Sequence, residues 1–123
     1  MENELSIQEK LRIVQELVPG KQITLAHIIA NPDNILYKKL GLDPAIEYSK
    51  TAIGIVTMSP AETAIIAGDI ALKSSGVELG FVDRFSGTLI VTGTVSDVQA
   101  SLNALVSYCK DVLGFTVCPI TKT

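Results

Sequence analysis

Tryptophan is absent from the chain, histidine occurs once, cysteine twice, and aromatic residues make up only 5% of the sequence. With His27 as the single imidazole and no cysteine at ligand spacing, no metal site can be read and no cofactor is implied. Nucleophilic catalysis is equally short of parts: Ser86 lies outside any GxSxG pattern and His27 is remote from it. Cys109 and Cys118 form no CxxC motif and are read as thiols serving as small buried hydrophobes. Lysine and arginine cluster nowhere beyond Lys38 and Lys39, and the net charge is -3, which argues against a nucleic-acid partner. No glycine-rich turn joins a strand to a helix to cradle phosphate. No apolar run approaches the length that spans a membrane, and the acidic opening "MENELSIQEK" is unlike a secretory signal. A cytosolic protein without a membrane partner is expected.

What is present is aliphatic. Hydrophobic residues make up 47% of the 123 positions, so one domain with a core of Ile, Leu, Val and Ala is expected. Mean hydropathy is positive, leaving few polar residues to cover a small monomer, and self-association follows as the first expectation.

Along the chain, "RIVQELV" fits two patterns: Leu11, Val14 and Val18 have helical spacing, while a short strand would show Ile13 and Leu17 on one side. Pro19 and Gly20 force a turn, and "KQITLAHIIANP" reads as a strand rich in β-branched residues. Asn31 is placed to cap a short helix through "DNILYKKL" that stops at Gly41. The polar connection "DPAIEYSK" leads to a buried strand, "AIGIVTM". Ser59, Pro60 and Glu62 predict a capping box opening a helix to about Ser75, on which Ala64, Ala67, Gly68 and Ala71 form a flat surface. On that helix Asp69 precedes Lys73 by four residues and predicts a solvated ion pair. Two strands, "VELGFVD" and "GTLIVTGTV", flank the turn "RFSG"; Ser96 is expected to cap a long helix from about Asp97 to Leu113, and "FTVCPI" reads as a closing strand. The order predicts an α/β sandwich of α+β, ferredoxin-like type, with helices on a mainly antiparallel sheet.

The stretches "VPGKQITLAHIIANP", "AIGIVTMSPAETAIIAGDIALKSSGVELGFVDRFSGTLIV" and "FTVCPITKT" resemble the circularly permuted bacterial microcompartment shell proteins of the ethanolamine- and propanediol-utilisation type. In the ordinary shell domain a strand like "AIGIVTM" comes first and a segment like "AHIIANPDNILYKKLG" last; here the order is reversed. The resemblance implies a shell domain over residues 19–123 preceded by an extension, residues 1–18. It also implies a homohexamer that tiles edge to edge with other shell proteins around enclosed enzymes, with no catalytic residues. Asp83, Arg84, Phe85, Ser86 and Gly87 fall where the family has the rim of a central pore. Lys73 falls at the family's edge lysine, and Asn31 and Pro32 at the opposite part of that edge, although the arginine often found there is absent. The resemblance favours a strand for Ile13, Val14, Gln15, Glu16, Leu17 and Val18, one of six in a parallel barrel that blocks or gates the pore, with Ile13 and Leu17 inside. A longer "DPAIEYSK" than the family's sets this chain apart. The alternatives are a ferredoxin-like regulatory module that binds a small molecule between subunits and an enzyme of the same fold, which lacks an acid–base constellation; fold alone does not separate the three.

Overall fold

A computed structural model of the protein describes residues 20–41 and 51–123. The extension that includes residues 13–18 and the whole "DPAIEYSK" connection lie outside the described residues.

Among the described residues eight elements follow one another as expected: β1 (Gln22–Ile29), α1 (Asn34–Lys39), β2 (Ala52–Ser59), α2 (Thr63–Ser74), β3 (Glu78–Asp83), β4 (Thr88–Gly93), α3 (Val95–Asp111) and β5 (Thr121–Lys122). They form one sheet in the order β3-β4-β2-β1-β5, antiparallel throughout except where β5 lies parallel to β1.

Period-two alternation decides what each face holds. Ala26 and Ile28 of β1, Val56 and Met58 of β2, and Leu89 and Val91 of β4 turn to one side, where Ala64, Ala67 and Ala71 of α2 and Val98, Leu102 and Leu105 of α3 cover them. The small-residue face expected on α2 is buried. It lets helix and sheet approach closely, and Gly54 of β2 does the same under α3: a methyl group there would stand 2.8 Å from Val98 Cγ1 and 2.9 Å from Leu102 Cδ1. The two helices are also joined by a buried hydrogen bond from Ser101 Oγ to the Ala71 carbonyl, 3.1 Å. On the opposite face a smaller cluster of Tyr37, Ile53 and Ile90 is covered by α1.

Several boundaries differ from the sequence reading. Ser59 does not open a capping box: it stays in β2 opposite Gln22, the Ser59–Pro60 bond is cis, and Glu62 at the helix start makes no side-chain capping bond. The chain enters α2 through a tight turn instead, in which the Thr63 amide donates to the Pro60 carbonyl. Asn31 gives way to Asp33, whose extended backbone lets its carboxylate accept from the Ile35 amide, so Pro32 precedes the cap rather than starting the helix. Ser96 likewise gives way to Thr94, whose hydroxyl accepts from the Asp97 amide at 3.1 Å. The predicted last strand is displaced: Thr116 makes an isolated bridge to Gln22, and pairing resumes only at Thr121. Pro119, which has no N–H, interrupts the ladder between them. Gly41, by contrast, ends α1 as expected, in the left-handed conformation.

Candidate functional site

The turn between β3 and β4 is built from its own sequence. Asp83 is the last residue of β3, and its carboxylate points back into the turn: Oδ1 accepts from the Phe85 amide and Oδ2 from the Ser86 hydroxyl, each at 2.8 Å. These two bonds favour the ionised form and hold the Asp83 carboxyl below its ordinary value, the Phe85 amide contributing most. Gly87 closes the loop by donating its N–H to the Asp83 carbonyl at 2.9 Å.

No other residue fits at Gly87. Its φ of 75° is left-handed, and an added Cβ would sit 2.1 Å from the Met58 carbonyl oxygen. This close approach seats the loop on the end of β2, where the Met58 amide donates to the Gly87 carbonyl at 2.9 Å. Arg84 and Phe85 then project together, the guanidinium carbon 4.9 Å from the ring centroid. Phe85 is 81% exposed, and beside it lies a shallow cleft lined by Ile65, Val82, Asp83 and Arg84. Asp83 and Arg84 are thus engaged within the loop, the first with backbone and hydroxyl donors, the second with a ring.

The strand register divides the remaining candidates. Gln22 at the start of β1 lies opposite Ser59 at the end of β2, and Thr57 opposite Thr88, so the chain entering β1 and the 83–87 loop share one pole of the sheet. Ile29 lies opposite Ile53, Ala52 opposite Gly93, and Glu78 opposite Thr92, which defines the other pole. Asn31 and Pro32 leave β1 there, and α2 delivers Lys73 there just ahead of β3. Asn31 is exposed and Pro32 is buried. Lys73 donates to Asp69 at 2.8 Å in the expected pair, which is exposed on both sides and contributes a few tenths of a kcal/mol, about the value of a helical surface pair.

His27 is held by two side-chain hydroxyls: Nδ1 is 2.6 Å from Thr121 Oγ1 and Nε2 is 3.0 Å from Thr123 Oγ1. Sequence reasoning missed this clasp because its partners are more than ninety positions away. Both cysteines are free thiols; Cys109 is buried, which pushes its thiol up, and Cys118 is half-buried.

The BMC domain family matches residues 52–121, from β2 into β5. The segment with β1 and α1 precedes the match, yet β1 lies inside the same sheet between β2 and β5, as a permuted order requires. The chain is 52% identical over 112 residues to the bacterial microcompartment shell protein PduU of Salmonella typhimurium, covering 91% of this chain and 93% of that protein. It is 50% identical over 115 residues to the shell protein EutS of Escherichia coli, covering 94% and 99%. Among solved structures it superposes on a flat hexamer of CutR with a TM-score of 0.79 at 46% identity, covering 86% of this chain and 94% of that one.

Proposed function

The chain belongs to the BMC-domain family of bacterial microcompartment shell proteins, and from that premise we propose that it is a non-catalytic, homohexameric wall subunit that tiles with other shell proteins around enclosed enzymes. The observation that carries the assembly is β3. This edge strand pairs only with β4 among the described residues, and it leaves Leu79, Phe81 and Val82 about 40% exposed, Leu79 and Val82 toward the α2 side and Phe81 toward the other. An edge so apolar on both faces needs a covering neighbour, since soluble monomers blunt such edges with charge.

The two poles then give the subunit its orientation. With the 83–87 loop at the six-fold axis, six copies of Asp83, Arg84, Phe85, Ser86 and Gly87 form the pore rim. Lys73, Asn31 and the buried Pro32 then lie at the outer end, where the lysine stem lies along the neighbouring hexamer and its ammonium leaves Asp69 to donate to that neighbour's carbonyls. The extension enters β1 at the loop pole, which favours residues 13–18 as barrel strands over the axis. Passage is then a matter of diameter and rim chemistry, without a bond-making step.

Electron microscopy with light scattering tests this reading. Six-fold particles and sheets are expected, and Lys73→Ala should keep the particles while losing the sheets. A monomer across micromolar concentrations overturns it.

A further inference from the structure

The described residue that fits a folded monomer least is Phe85. Its ring is 81% exposed, more than any other large hydrophobic residue of the described chain. Yet it is not loosely held. The Asp83 carboxylate fixes its amide, the Gly87 backbone locks the turn to β2, and Arg84 stands over its ring. Ile65 and Val82 extend the apolar surface beside it. An aromatic ring presented on a rigid turn next to a cleft is prepared for a partner, because little ordering entropy remains to be lost when one arrives.

One candidate lies within reach in the same subunit. Val18 is four residues before Gln22, so an extended chain places it up to about 13 Å from the start of β1. β4 lies two strands away from β1, about 10 Å at the usual strand spacing. Both distances start from the same pole, so the turn is within reach of Val18 and of the residues upstream of it. If residues 13–18 form a strand with Ile13 and Leu17 toward the barrel interior, alternation puts Val14 and Val18 on its other side.

We infer that Phe85 is the seat of the amino-terminal segment: Val14 and Val18 of that segment pack on the Phe85 ring and the Ile65–Val82 cleft, so the rim loop holds the barrel in place. This rests on the hexamer and barrel reading above and adds the contact that fixes one to the other.

The test is amide hydrogen exchange on the full-length protein and on Phe85→Ala and Phe85→Leu, with light scattering on each. In the unaltered hexamer, slow exchange is expected across residues 13–18. Phe85→Ala should remain hexameric and speed that exchange by about tenfold or more, the size expected for losing a buried aromatic contact, while Phe85→Leu keeps much of the protection. Equal protection in Phe85→Ala overturns the seat and leaves the barrel standing. Fast exchange of residues 13–18 in the unaltered hexamer overturns the barrel itself. Dissociation of the Phe85→Ala hexamer shows that the ring is covered by a second copy, and this too overturns the inference.

Discussion

The sheet ends differently on its two sides. Beyond β1 the chain closes its own edge: Ile23 and Ala30 donate to the carbonyls of Thr116 and Thr123, both at 2.8 Å, and His27 clasps the hydroxyls of Thr121 and Thr123. The strand that does this, β5, is only two residues long and offers little template to another chain. At β3 nothing comparable happens among the described residues. That strand is six residues long, uncharged between Glu78 and Asp83, and half-exposed on both faces. One edge is finished within the subunit and the other is left for a neighbour. A shell subunit needs this asymmetry, because a ring closes only when each copy offers a different surface on its two sides.

The sharpest way to break the contrast is to make the open edge look like a protected one. Phe81→Asp should cost about 3 kcal/mol or more per subunit contact, because a carboxylate would be covered without a partner. The expected result is a hexamer that falls to monomers in light scattering, with an unchanged circular dichroism spectrum, since Phe81 is 43% exposed in the subunit. A hexamer that survives would place the contact elsewhere.

Next in size is Gly87→Ala, which attacks the hairpin at the end of the open edge. The added Cβ would overlap the Met58 carbonyl and the residue must keep a left-handed backbone, so a loss of about 1–3 kcal/mol is expected. Thermal unfolding monitored by circular dichroism should show a midpoint lower by several degrees.

The closed edge should respond more mildly. His27→Ala removes two hydrogen bonds to exposed hydroxyls and should cost about 1 kcal/mol, with hexamers intact. Exchange of the Ala30 amide, which donates to Thr123, is expected to quicken while the amides pairing β2 with β4 stay slow. If both change together, the clasp supports the whole sheet rather than one edge.

The smallest effect is set by pH. The Asp83 carboxyl is held below its ordinary value of 3.8, so below that value the unfolded chain takes up the proton first. The loop's contribution is therefore fully present above the ordinary value and is lost as pH falls through the lower folded value. In acid the Phe85 amide should lose protection, measured against the intrinsic exchange rate at the same pH. Asp83→Asn, which has no carboxylate to titrate, should abolish that pH dependence.

By itself the sequence determined whatever depends on near neighbours along the chain. The apolar runs "AIGIVTM" and "GTLIVTG" marked two strands, the alanines of α2 marked a helix that lies close on the sheet, and "RFSG" marked the turn between β3 and β4. The Asp69–Lys73 pair was legible for the same reason, since four positions on a helix are one turn. Caps were read less well because several suitable oxygens stand in a row: Asn31 and Asp33, or Thr94 and Ser96, differ only in which one the incoming chain aims at the first free amides. Ser59 misled for a related reason, as pairing with Gln22 keeps it in the strand.

Only the tertiary structure decided the rest. That the last residues return to lie beside β1 and that His27 meets Thr121 and Thr123 are contacts made across most of the chain, and no local pattern encodes them. The same holds for the two poles. Lys73, Asn31 and the 83–87 loop are scattered in sequence, and only strand register, set by which faces must be buried, places the first two at one end and the loop at the other.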